Sequence, residues 1–139
     1  MNAAATARSF IEDVLNTGDW SRAGELLSDD VVMYHPSAPE PIRGLGAVQG
    51  FLSQFRDGMP DLRLTVDDVA GEDGRVAARW HAQGTHTNEM FGLPPTNKVI
   101  EIHGISFFRF DDSGKIAEDW VEENTLSVMQ QLGVVPAFG

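Results

Sequence analysis

Between residues 62 and 124 the sequence alternates strand-forming stretches with turns, and this constrains the fold more than any other feature. Leu62, Leu64 and Val66 alternate with Arg63, Thr65 and Asp67, the period-two pattern of a strand with one buried face. The turn Glu72-Asp73-Gly74 leads to a second strand over 75–86. A loop carrying Gly92-Leu93-Pro94-Pro95 separates it from a strand over 98–110, and Asp112-Ser113-Gly114 joins that to a last strand over 115–124. Four strands linked by successive turns predict an antiparallel sheet.

The first sixty residues carry a different period. Ala7, Phe10, Ile11, Val14 and Leu15 form one stripe at helical spacing, and Asn16-Thr17-Gly18 stops it. Asp19 caps a second predicted helix, with Trp20, Ala23, Leu26 and Leu27 on one face, running to about Ser28. Val31 to Tyr34 reads as a short strand, and the three prolines between Pro36 and Arg43 as a loop. Leu45, Val48, Phe51, Leu52 and Phe55 predict a third helix over 44–57, ended by Gly58 and Pro60. Leu126, Met129 and Leu132 form a short closing segment. The expectation is one α+β domain over 1–139, with about three helices covering a curved, mostly antiparallel sheet and a hollow between the layers.

Charge and composition exclude several classes of function. Ten Lys and Arg against 21 Asp and Glu give a net charge of −11, which repels nucleic acid and anionic lipid. Without cysteine there is no disulfide, thiol nucleophile or thiolate metal site. No apolar run has membrane-spanning length and no secretory leader is visible, so a cytoplasmic protein is expected. Phosphate-cradling glycine loops, a Ser-His-Asp order and ligand-spaced histidines are all missing from the sequence, so neither a cofactor nor a metal is expected.

Two stretches carry a family resemblance. Gly84-Thr85-His86-Thr87-Asn88-Glu89-Met90-Phe91-Gly92-Leu93-Pro94-Pro95-Thr96 resembles the signature of SnoaL-like polyketide cyclases of the nuclear transport factor 2-like superfamily. Gly114-Lys115-Ile116-Ala117-Glu118-Asp119-Trp120, followed by Gln130-Gln131-Leu132-Gly133, repeats that family's order and spacing, as does Leu15-Asn16-Thr17-Gly18-Asp19. The resemblance implies a cone-shaped fold enclosing a pocket for a small hydrophobic organic ligand. It implies no chemistry by itself, because the superfamily also holds isomerases, dehydratases, epoxide hydrolases and members that only bind or assemble.

Position by position, the resemblance points to particular residues. His35-Pro36 occupies the place of the Asp-Pro pair that supplies the isomerases' base, Val121 that of the cyclases' acid/base aspartate, and Ser106 that of a functional His or Asp. Ile11 replaces the isomerases' tyrosine. An imidazole titrates near neutrality, so His35 is the candidate base. Asp119 shares strand parity with Val121 and Glu123, and a carboxyl walled by apolar groups there would be an acid/base partner. Ser106 and His86 are candidate donors to a substrate oxygen, although His86 also suits a purely structural anchor for loop 87–97. Trp80, Phe55, Met59 and Val121 are candidates to shape the cavity.

On strand 98–110, Ile100, Ile102 and Phe108 share one parity while Val99, His103, Ile105 and Phe107 share the other. Two apolar faces predict a pocket on one side and a second subunit on the other, hence a homodimer, with His103 held as a further candidate contact. The expected function is a cofactor-independent cyclase- or isomerase-type enzyme acting on a polyketide-like or terpenoid-like carbonyl compound. The alternatives are a non-catalytic binding or assembly domain, and an epoxide hydrolase or dehydratase relative.

Overall fold

The computed structural model describes residues 1–138. Its N-terminal helical arm begins with α1 (Ala3–Ser9), whose first turn is capped by the Asn2 side chain accepting from the Ala5 N–H. The arm continues through a π-helical turn, Phe10–Val14, into α2 (Leu15–Thr17) and ends at Gly18 in the left-handed region at φ 71°. A π turn adds a residue to the helical circuit. It falls where Phe10, Ile11 and Val14 turn inward, each almost fully buried.

Asp19 caps the next segment as expected, accepting from the Ser21 N–H. That segment is a 3-10 turn, Trp20–Arg22, followed by α3 (Ala23–Leu26). It stops short of Ser28, because Leu27 is claimed by strand pairing with Ile116. The strands are β1 (Leu27–Tyr34), β2 (Ile42–Arg43), β3 (Arg63–Glu72), β4 (Arg75–Thr85), β5 (Val99–Phe110) and β6 (Ile116–Glu123). The long amphipathic helix α4 (Leu45–Gly58) and the closing helix α5 (Thr125–Leu132) complete the chain.

All six strands join one curved sheet in the order β2-β1-β6-β5-β4-β3. The last four are antiparallel neighbours, as the turns predict. β1 instead runs parallel to β6, with Met33 opposite Asp119 and Tyr34 opposite Trp120. This pairing positions the site, since Met33 on β1 and His35 just past its end come to the cavity wall with Asp119, Val121 and Glu123 on β6. On β5 the even-numbered residues from Ile100 to Phe110 are buried, and the β4–β5 register is unbroken, so Ser106 faces inward and His103 outward. Among the described residues no helix is long and apolar enough to cross a membrane.

Candidate functional site

A cavity of about 220 Å³ lies between the helices and the concave face of the sheet. Phe10, Ile11 and Leu15 from the N-terminal arm and Leu52 and Phe55 from α4 form its roof. Met33, Trp80, Ala82, Ile102 and Val121 line the sheet side. Half-exposed Ser53 and Arg56 and exposed Gly18 and Asp57 mark the side that reaches solvent. The guanidinium of Arg56 ties this rim together by donating to the carbonyls of Leu15, Pro60 and Leu62.

Three ionisable side chains meet within these mostly apolar walls: His35, Asp119 and Glu123. Asp119 is fully buried, and its Oδ1 has no hydrogen-bond partner among the described residues. Loss of hydration penalises its charged form and pushes the carboxyl up to about 8, so at neutral pH it holds its proton. His35 Nε2 lies 3.4 Å from Glu123 Oε1, with both side chains nearly sealed from solvent. Burial lowers the His35 pKa and, with some help from the Glu122 charge, raises that of Glu123.

The His35 ring is held from several sides. The Ser37 backbone N–H donates to Nδ1 at 3.1 Å, and the rings of Phe51 and Phe55 pack at centroid distances of 4.8 and 5.6 Å. Nδ1 is thereby an acceptor, which leaves the ring proton of the neutral imidazole on Nε2, facing Glu123. Deeper along the wall, Trp80 Nε1 donates to Ser106 Oγ at 3.1 Å. That bond occupies a lone pair of the serine oxygen and leaves its O–H available as a donor.

The structure thus brings His35, Asp119, Ser106, Trp80, Phe55 and Val121 to one cavity. Three other candidates lie elsewhere. His103 is on the exposed outer face of β5, opposite His81, because strand alternation turns its neighbours Ile102 and Gly104 inward. His86 is completely buried outside the cavity lining, where Nδ1 accepts from the Thr96 N–H and meets Thr96 Oγ1. Its backbone also bonds Lys98 and Asn97, so it anchors both ends of loop 87–97. Met59 is buried against Gly84 and does not line the cavity. The sequence does not single out Glu123: its parity with Asp119 is legible there, but the parallel pairing of β1 and β6 that carries His35 to it is not.

Comparison with known proteins agrees with this architecture. The family model described as SnoaL-like polyketide cyclase matches residues 5–132. No curated protein matches the sequence significantly. Among solved structures, IdmH from Streptomyces antibioticus, a candidate polyketide cyclase, is 29% identical with a TM-score of 0.78, covering 94% of this chain and 98% of that one. AclR from Streptomyces galilaeus, a candidate hydroxylase, is 27% identical with a TM-score of 0.82, covering 99% and 84%. A SnoaL-like protein from Jannaschia sp. CCS1 shares only 18% of residues, yet its fold superposes with a TM-score of 0.85 over 96% of this chain and 93% of that one. With the family match spanning nearly the whole length of the sequence, this chain belongs to the SnoaL-like polyketide cyclases.

Proposed function

We propose that this protein is a cofactor-independent enzyme of the cyclase or isomerase type, which moves protons on a polyketide-like or terpenoid-like carbonyl compound. The observation that carries this reading is the convergence, on one apolar cavity, of a neutral Asp119 carboxyl whose buried Oδ1 has no hydrogen-bond partner among the described residues and the His35–Glu123 pair. Enolisation needs a group to take a carbon-bound proton and another to stabilise the oxygen that becomes charged. The His35 end of the cavity serves the first need. The Asp119 carboxyl and the Ser106 hydroxyl, on neighbouring strands, serve the second. Burial makes both contributions stronger than they would be in water.

Val121 bears on this assignment. The family resemblance places an acid/base aspartate at that position, and a valine moves no proton. Asp119 lies two residues earlier on the same inward face, which in a strand is a displacement of about 6.6 Å along one side of the sheet. The carboxyl is therefore kept on this wall, at a shifted place.

The reading is tested by incubating the protein with aromatic polyketide ketones and terpenoid ketones in deuterated buffer. Mass spectrometry then follows solvent deuterium into recovered substrate and product. Catalysed incorporation that is lost in both His35→Ala and Asp119→Ala is the expected outcome. Ligands that bind tightly without incorporation or conversion would leave a binding protein, and solvent oxygen in the product would point to a hydrolase.

A further inference from the structure

We infer that Glu123 is the proton acceptor of this cavity, and that His35 is a positioning residue that serves it as a fixed N–H donor. The assignment rests on the functional reading above and resolves the roles within the His35–Glu123 pair. A histidine acts as a base through a nitrogen that carries no proton. In this ring the bare nitrogen, Nδ1, is already occupied by the Ser37 N–H. The protonated nitrogen, Nε2, faces the glutamate at 3.4 Å. Protonating Nδ1 would set two N–H groups against each other, so the imidazole is held as a neutral donor.

The other carboxyls of the lining do not compete for the role. Asp119 already holds a proton at neutral pH, and Asp57 is exposed on the rim. Glu123, raised to about 7 by burial and the Glu122 charge, is the buried lining carboxyl that gives up its proton first and is substantially ionised at neutral pH. Its place on the wall is also prepared. Gly104 is its cross-strand partner, and a Cβ there would come within 3.0 Å of Glu123 Cβ and 2.8 Å of Trp80 Cζ2. Burial and the Glu122 charge on β6 raise the Glu123 pKa, and His35, just past the end of β1, faces it; the other titratable residues of the lining are Asp119 on β6 and Arg56 and Asp57 on α4.

The step balances without an outside reagent. A C–H bond next to a bound carbonyl breaks, its proton passes to a Glu123 oxygen, and the bonding pair enters the C=C bond of an enolate. The Asp119 carboxyl and the Ser106 hydroxyl hold the enolate oxygen. Return of a proton to the same or another carbon completes exchange or isomerisation, with no net oxidation.

The test uses the full chain and 2-tetralone, a two-ring ketone with acidic C–H bonds beside its carbonyl. NMR in deuterated water follows exchange of those hydrogens. The wild-type protein accelerates exchange, and Glu123→Gln lowers the rate by about 100-fold, the usual worth of a placed general base, with little change in 2-tetralone affinity. His35→Phe keeps a ring in place but removes the N–H, so the rising limb of the pH–rate profile moves to higher pH. A histidine with only a packing role would leave that limb where it is. Imidazole nitrogen-15 spectra show His35 protonated on Nε2 alone at neutral pH. Exchange by Glu123→Gln at the wild-type rate, or a His35 ring protonated on Nδ1 instead, overturns the assignment while leaving the proposed function standing. Failure of the wild-type protein to exchange 2-tetralone, or any ketone of the panel above, overturns both.

Discussion

Trp80 and Ser106 are joined across β4 and β5 by an indole N–H to hydroxyl hydrogen bond of 3.1 Å, buried at the wall of the cavity. The bond takes up serine acceptor capacity and leaves its proton for a ligand oxygen. Loss of the indole N–H frees the hydroxyl to turn away from the ligand, and loss of the serine removes the hydroxyl itself, so either change should cost the ligand this hydrogen bond. With 2-naphthol as ligand, Trp80→Phe and Ser106→Ala should each weaken binding by about 1 kcal/mol, the ordinary net worth of a buried hydrogen bond. The double variant should bind no worse than the poorer single, because coupled residues do not add. Fully additive losses would show that the two side chains act separately.

Asp119 links the site to stability. Its carboxyl is pushed from 3.8 up to about 8 by burial, so between those limits the folded chain holds a proton that the unfolded chain has released. Stability from this group is therefore fully present in acid and is lost as pH rises toward 8, by at most about 1.4 kcal/mol per pH unit. Asp119→Asn keeps the shape and removes the titration. Urea unfolding of the two proteins at pH 5, 6, 7 and 8 should give a difference in stability that moves steadily in favour of the variant. Parallel stability–pH curves would mean that Asp119 is already ionised in the folded chain.

Much of this architecture is legible from periodicity. Alternation along 62–67 and 98–110, together with the intervening turns, defines the antiparallel part of the sheet and sets Ser106 and His103 on opposite faces of β5, while the inward direction of Ser106 is what the family resemblance implies, and it holds because the β4–β5 register carries no bulge. Phe55 follows from the helical spacing along 45–55. The environment of His35 is less legible. Nothing local to Val31–Tyr34 specifies that β1 enters the sheet beside β6 and parallel to it, because that pairing joins residues more than eighty positions apart. Glu123 gains its role only through that pairing. The boundary near Leu27 is lost for a related reason, since long-range pairing overrides a local helical pattern. The family signature around His86 is visible in the sequence, but the structure gives that side chain an anchoring contact with Thr96. His103 illustrates a limit of parity, which separates two faces without saying which is inside.

The outer face of the sheet carries its own prediction. Ile105, Phe107 and Trp120 are 50%, 43% and 48% exposed, and Tyr34 stacks on Trp120 with ring centroids 3.7 Å apart. Trp120 and Phe107 are cross-strand partners, so these side chains form a continuous apolar surface. A homodimer through this face is expected. Sedimentation at micromolar concentration should give twice the chain mass, and Ile105→Glu with Phe107→Glu should give a folded monomer of 15.2 kDa. A wild-type chain that sediments as a monomer would remove the second subunit from this surface.

Gly104 offers a test of how tightly the site is built. It lies on β5 between the cavity-facing Ile102 and Ser106, and its inward side is filled by its neighbours. An added Cβ would stand 2.5 Å from the Glu122 carbonyl oxygen and 2.8 Å from the Trp80 ring, both below van der Waals contact. The carbonyl belongs to the β5–β6 ladder and has little freedom to retreat. The main yielding element is therefore Trp80, whose movement would stretch its bond to Ser106. Gly104→Ala should lose about 1–3 kcal/mol of stability in urea, the usual cost of overpacking an interior. Because strain and site share these atoms, the variant should also weaken 2-naphthol binding, and less so when Ser106→Ala is already present. Equal loss of affinity in both backgrounds would mean that the strain reaches the ligand by another route, leaving the Trp80–Ser106 bond intact.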